Sequence, residues 1–239
     1  MSQRIEDLQC GGLKIIQDDT LYAFTSDSVV LANFVKIKPS ERALEIGTGC
    51  GVISILLTAK TRAKNFVAFE MQENMASLAQ QNVELNKLQD KIQIVNDKIQ
   101  NYKAYFGDES FDVVFSNPPY MRADENNKNS SSVRDKARHD STLKINELCK
   151  AASGALKFGG RFYVVYDAGR SAELIHMLIE NKLEPKTMFF TENGKGVIKL
   201  VVIEAVKGGK HGVKVLPNLE TNDKNGEYLE KLKTRNFIK

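Results

Sequence analysis

The strand Arg42-Ala43-Leu44-Glu45-Ile46 runs into Gly47-Thr48-Gly49-Cys50-Gly51, and an apolar run, Val52-Ile53-Ser54-Ile55-Leu56-Leu57, begins at once after it. No other stretch constrains the fold as much. A strand that breaks on glycines and resumes as a helix is a nucleotide-binding βα unit, because glycines let the backbone approach a ligand that a Cβ would block. The helix start adds unpaired N–H groups facing the same place. The spacing is G-x-G-x-G, one residue shorter than the dinucleotide fingerprint, and the acidic Glu45 precedes the first glycine inside the strand. So compact a loop suits a cofactor without a pyrophosphate. Taken alone, it reads equally well as a plain tight turn.

From Arg42 onward strand and helix alternate, which predicts an α/β fold with a mostly parallel sheet and helices on both faces. Strands are expected at 42–46, 66–69, 92–95, 111–115, 161–166, 187–190 and 197–206. Helices are expected from the glycine loop to about Ala59, then over 73–86, 142–156 and 171–180, with a turn at Phe158-Gly159-Gly160. Ahead of the sheet, 13–16 reads as a strand. Val29, Val30, Leu31, Phe34 and Val35 then recur at helical spacing behind Ser26 or Asp27 as N-cap, ending near Lys38-Pro39. Residues 122–140, centred on an Asn/Ser run, read as a mobile loop, and the lysine-rich end carries one helix near 227–235. The whole chain, 1–239, is read as one domain: an N-terminal extension and capping helix (1–40), a sheet that binds cofactor and performs the chemistry (41–206), and a basic tail (207–239).

Composition excludes several classes. No apolar run approaches the roughly 20 residues that span a bilayer, and residues 1–11 are too polar for a signal peptide. Cys10, Cys50 and Cys149 are far apart and form no C-x-x-C pair, and His139, His176 and His211 are scattered. That pattern points to a reducing cytoplasm, with no disulfide framework and no metal site. The net charge of +4 is unevenly spread: residues 207–239 hold eight Lys/Arg against four Asp/Glu, and 122–138 hold five against three. A polyanionic partner fits this bias, as does an ordinary solvated surface.

In an open parallel sheet, ligands bind beyond the carboxyl ends of the strands, where strand order reverses. Gly47–Gly51, Glu70, Asp97 and Asn117–Tyr120 all fall at such ends. Glu70 lies nineteen residues beyond Gly51, near the separation at which an acid accepts ribose hydroxyls. It also suits a helix N-terminus, and Asn96-Asp97 suits a simple turn. Asn117-Pro118-Pro119-Tyr120 is the most specific feature. Two prolines at a strand exit stiffen the backbone and remove two N–H donors, so carbonyls there can face a ligand. Asn117 adds an acceptor and Tyr120 a stacking face. Together they recognise a planar NH2 group.

These motifs resemble those of class I S-adenosylmethionine-dependent methyltransferases acting on amino nitrogens. Residues 12–17, 24–32, Ala137-Arg138-His139-Asp140 and 212–217 further resemble the tRNA1(Val) adenine-N6 methyltransferases, over nearly the whole chain. That family has Glu where this chain has Asp140, and often a proline where it has Asn218. The resemblance implies a Rossmann-like, seven-stranded sheet whose last strand is antiparallel. It implies S-adenosylmethionine as cofactor, with Glu45, Gly47, Thr48, Gly49 and Gly51 on its methionine end, Glu70 and Met71 at its ribose side and Asp97 at its adenine. Thr25, Ser26, Asp27 and Asn117 would line the same cleft, although Ser26 is equally a helix cap.

The implied reaction is methylation of the exocyclic N6 amine of a tRNA adenine, the purine 3′ of the anticodon. Asn117, Pro118 and Tyr120 would carry it, with Pro119, Tyr120, Arg134, Arg138 and His139 meeting the RNA. Neither a metal nor a stable protein partner is implied. Three alternatives remain at this point: a glutamine N5-methyltransferase acting on release factors, an rRNA guanine-N2 methyltransferase, and a module that binds cofactor or RNA without turnover.

Overall fold

The computed structural model describes residues 3–21, 24–119, 143–193 and 195–220. The chain opens with an antiparallel hairpin, β1 (Gln3–Asp7) and β2 (Lys14–Asp18), followed by helix α1 (Ser26–Phe34). Then come β3 (Arg42–Ile46), α2 (Val52–Lys60), β4 (Asn65–Phe69), α3 (Glu73–Leu85), β5 (Ile92–Val95), the short α4 (Tyr102–Phe106) and β6 (Phe111–Ser116). The second half adds α5 (Ile145–Ala155), β7 (Leu156–Asp167), α6 (Ser171–Glu180), β8 (Leu183–Glu192), β9 (Ile198–Lys207) and two-residue strands β10 (Lys214–Val215) and β11 (Leu219–Glu220).

The main sheet runs β5-β4-β3-β6-β7-β9-β8. Strands β3 to β7 are parallel, and β9 is antiparallel to both its neighbours. These are the seven expected strands. Two more were not expected: β10 and β11 pair in parallel with the outer edge of β8, making nine. They occupy the backbone groups that an uncovered edge strand would expose.

Continuous apolar runs in the central strands follow from burial on both faces. In β6, Val113 and Phe115 face α1, α2 and α3, while Val114 faces α5 and α6. Phe111 breaks the alternation because the β6–β7 register shifts between it and Val113. Helix α1 is held by its last residue, Phe34, whose ring meets Tyr163 and Phe189 edge-on at 5.5 and 5.1 Å. Such aromatic pairs fix orientation as well as burying area.

Some expected boundaries move. The N-cap of α1 is Thr25, not Ser26 or Asp27, and the helix stops at Phe34 because Val35 turns extended. The expected turn at Phe158-Gly159-Gly160 is a bulge inside β7, with Gly159 at φ +76°. Glycine suits a bulged position because it tolerates positive φ. The expected loop over 122–140 and helix near 227–235 lie outside the described residues. Among those described, no helix is long and apolar enough to cross a membrane.

Candidate active site

Strand β3 lies between β4 and β6, so chain order turns back at its carboxyl end. Ile46 pairs with Phe69 on one side and Ser116 on the other, which sets Gly47, Glu70 and Asn117 level with one another.

The glycine loop leaves β3 with Gly47, Gly49 and Gly51 all at positive φ, 71°, 57° and 86°. The N–H groups of Gly47 and Thr48 both donate to the Phe69 carbonyl at 2.9 Å, which pins the loop to the end of β4. A Cβ at Gly51 would sit 3.5 Å from that of Ala79, whereas one at Gly47 would meet nothing within 4 Å. The loop therefore packs tightly on its inner side and is open on the side a ligand would approach.

Glu45 is 1% exposed. Its Oε2 accepts from Thr48 Oγ1 at 2.8 Å, Ser54 N–H at 3.2 Å and Ser54 Oγ at 2.5 Å. Its Oε1 is buried and has no hydrogen-bond partner among the described residues. Burial pushes the carboxyl up to about 7, against the pull of the Ser54 and Thr48 hydrogen bonds. A buried acceptor lacking a donor is costly, and an ammonium group on a ligand would supply one.

Glu70, 6% exposed, accepts the Gly49 N–H on Oε2 at 2.9 Å and the Gln72 N–H on Oε1 at 3.0 Å. It thus serves the glycine loop and the start of α3 together. Burial raises its pKa, opposed by backbone N–H groups of Gln72, Gly49 and Met71. A carboxylate has about four acceptor positions, so capacity for a ligand hydroxyl remains beyond these three N–H groups. Met71 follows it, 41% exposed.

Asp97 gathers Lys98 N–H at 2.7 Å, Asn101 Nδ2 at 2.8 Å and Tyr105 OH at 2.9 Å. The Asn101 hydrogen bond, ahead of those from Lys98 and Tyr105, holds its carboxyl below the usual range. It stands at the same sheet edge and organises the turn into α4. Sequence reasoning missed Asn96, whose Nδ2 donates to the Glu70 carbonyl at 2.9 Å and joins the exits of β4 and β5.

At the exit of β6, Asn117 is half-buried, Pro118 buried and Pro119 exposed. The Asn117 Nδ2 donates to Ser28 Oγ at 3.0 Å. Ser28 is 6% exposed, and sequence reasoning passed over it for its neighbours. The available signal was a small polar residue inside the otherwise apolar face of α1. Thr25 and Ser26 are exposed and Asp27 half-buried at the head of that helix, immediately ahead of Ser28 in the chain. Tyr120, Arg134, Arg138 and His139 lie outside the described residues. Among those described, no cluster of His, Cys, Asp or Glu is arranged to hold a metal ion.

Comparison with known proteins adds the family and the fold. The sequence profile of a family described as RNA methyltransferase matches residues 21–193. A tRNA1(Val) (adenine(37)-N6)-methyltransferase of Bacteroides thetaiotaomicron is 30% identical over 191 residues, covering 73% of this chain and 78% of that protein. One of the same name from Trichodesmium erythraeum is 28% identical over 182 residues, covering 73% and 75%. Among solved structures, a predicted O-methyltransferase from Agrobacterium tumefaciens superposes with a TM-score of 0.69 at 18% identity, covering 87% of this chain and 96% of its own. P. horikoshii TYW2 in complex with MeSAdo gives 0.60 at 16% identity, covering 83% and 70%. With a profile that spans the glycine loop, Glu70 and Asn117, this chain belongs to the RNA methyltransferase family.

Proposed function

We propose that this protein transfers the methyl group of S-adenosylmethionine to the exocyclic N6 amine of an adenine in tRNA, the position-37 adenine for which its relatives are named. The observation that carries this reading is Asn117, a half-buried amide anchored by Ser28 beside Pro118, at the point where the strand order turns back and next to the glycine loop.

S-adenosylmethionine, when bound, supplies a methyl carbon on a sulfonium, open to in-line displacement. The chain's own groups position and polarise. The glycine loop gives backbone access, Glu45 offers its unpartnered Oε1 to the cofactor's ammonium, and Glu70 offers acceptors to the ribose hydroxyls. Met71 and Asp97 flank the nucleoside side of the cleft. Thr25, Ser26 and Asp27 close its far edge.

An adenine amine is a poor nucleophile because its lone pair is delocalised into the ring. Acceptance of its two hydrogens by Asn117 Oδ1 and the Pro118 carbonyl localises that pair and aims it at the methyl carbon. Positioning and electrostatics of this kind carry most of the barrier lowering in such transfers. No strong base is required, because the proton departs after the methyl arrives. Tyr120 supplies the stacking face for the base, and Arg134, Arg138 and His139 meet the RNA. A tRNA-modifying role, with three free cysteines, fits the cytoplasm.

The test is direct. The protein is incubated with radiolabelled S-adenosylmethionine and tRNA, ribosomes or release factors from cells lacking the enzyme, and the labelled residue or nucleoside is identified. N6-methyladenosine is the expected product. Label in N2-methylguanosine, or only in protein glutamine, would move the substrate elsewhere within the amino-nitrogen methyltransferases.

A further inference from the structure

One face of α3 touches two parts of the molecule that are far apart in sequence. Its first turns carry Met75 and Ala79 against the glycine loop: a Cβ at Gly49 would sit 3.6 Å from Met75 Cε, and one at Gly51 3.5 Å from Ala79 Cβ. Asn82 in its last turn and Asn86, its C-cap, meet the N-terminal hairpin. Asn86 Oδ1 accepts the Lys14 N–H at 2.8 Å and its Nδ2 donates to the Lys14 carbonyl at 2.7 Å. Asn82 repeats this with Ile16, accepting the N–H at 2.6 Å and donating to the carbonyl at 3.2 Å. Two amide side chains thereby pair with β2 as a neighbouring strand would.

Asn82 does one thing more. Its Nδ2 also donates to the Cys50 carbonyl at 3.0 Å, inside the glycine loop. The same peptide unit carries the Gly51 N–H, which donates to the Thr48 carbonyl at 3.0 Å. The Cys50–Gly51 peptide plane is thus clamped at both ends, just where Gly51 takes its left-handed φ of 86° and α2 begins. Asn82 is 0% exposed, so none of these bonds exchanges freely with water.

We propose that Asn82 is a positioning residue for the cofactor loop, coupling the docking of the N-terminal hairpin to S-adenosylmethionine binding through the Cys50 carbonyl. The inference rests on the reading of residues 47–51 as the cofactor loop. Its physical content is reciprocal: if the docked hairpin holds the loop in its binding geometry, cofactor binding must tighten hairpin docking by the same factor.

Two measurements test it. In the wild-type protein, hydrogen exchange at the Ile16 amide is followed with and without S-adenosylmethionine, and slower exchange with cofactor is expected. In parallel, calorimetry compares Asn82→Leu, which keeps the volume but removes all three bonds, with Asn86→Leu, which loosens the hairpin without touching the loop. Asn82→Leu is expected to weaken cofactor binding about tenfold, a typical coupling between sites. Asn86→Leu is expected to speed exchange at Lys14 and to weaken cofactor binding only through the looser hairpin, by clearly less than Asn82→Leu. Should Asn82→Leu not fold, Asn82→Ser takes its place, and the wild-type exchange experiment needs no variant. Identical Ile16 exchange with and without cofactor overturns the inference alone, as does equal weakening by the two variants. Absence of S-adenosylmethionine binding to the wild type overturns the cofactor reading and this inference with it.

Discussion

An asparagine amide has two different ends, and which one meets the substrate decides what it can do. Asn117 Nδ2 donates to Ser28 Oγ, and in the proposed mechanism it is Oδ1 that accepts from the amine. Asn117→Ala should therefore bind cofactor normally yet lose kcat by roughly 10²–10³-fold, by analogy with the loss of one oxyanion-hole donor. Single-turnover methylation at saturating tRNA measures this, and near-normal turnover would refute the mechanism. Ser28→Ala should lower kcat less, about 3- to 10-fold, the worth of one ordinary hydrogen bond, and Ser28→Thr should restore it. Glu45 yields a pH prediction. Its carboxyl titrates near 4.5 in an ordinary setting and at about 7 in the folded protein. The native state thus holds a proton that the unfolded chain has released. The stability from this group is fully present below 4.5 and is lost as pH rises through 7. The span corresponds to roughly 3 kcal/mol. Glu45→Gln should flatten the decline in Tm over that window, and it should abolish the proton release expected when a cofactor ammonium meets the carboxylate. Calorimetry in buffers of different ionisation enthalpy reads that release. Glu45 was visible in the sequence because an acid inside an apolar strand has few structural excuses. Ser28 was not, because a serine within a helix start has several.

Elements were legible to the degree that burial on both faces wrote them. The cores of β3, β4 and β6 are apolar runs and stand where expected. Strand β1 was missed because it holds one apolar residue, Ile5, and that one is 61% exposed. Pairing with β2 makes it a strand, and no one-dimensional pattern records pairing. The five-residue α4 is shorter than any periodic signal can resolve. In β7, Gly159-Gly160 reads as a turn, since glycine pairs usually are. The structure uses them for a different reason: a Cβ at Gly160 would come within 2.9 Å of both Leu156 Cδ2 and the Lys157 carbonyl, and 3.1 Å of the Asp112 carbonyl. Two of those neighbours are backbone and cannot step aside. Gly160→Ala should accordingly destabilise the protein by about 1–3 kcal/mol, the range for overpacking a closed site. A thermal melt measures the loss. Cofactor affinity at a temperature where the variant is folded should be unchanged, because the bulge lies at the opposite end of β7 from the glycine loop.

At the scale of the molecule, the sheet order sets Gly47, Glu70, Asp97 and Asn117 at the carboxyl end of the parallel strands, and the remaining question is how that end holds an RNA. Strand alternation announced a parallel sheet and the family resemblance an antiparallel last strand, whereas the order of strands comes from the structure. The edge strands β10 and β11 had no signal beyond two residues each. A net charge of +4 is too small for a long-range field to hold a polyanion by itself. Affinity for tRNA should then rest on a few direct phosphate contacts, and the basic run over 122–138 offers the densest set outside the tail. If Arg134 and Arg138 each contact a phosphate of a single-stranded loop, replacing both with glutamine should reduce the slope of log K against log salt by about 1.4 in all, 0.7 for each contact. The loss should fall on tRNA alone, because the described hydrogen bonds of Glu45 and Glu70 run to Thr48, Ser54, Gly49 and Gln72. Calorimetric cofactor affinity is therefore the internal control. A salt slope equal to wild type would return both arginines to the solvated surface and shift the search for RNA contacts to the lysine-rich tail, where the chain's charge excess is concentrated.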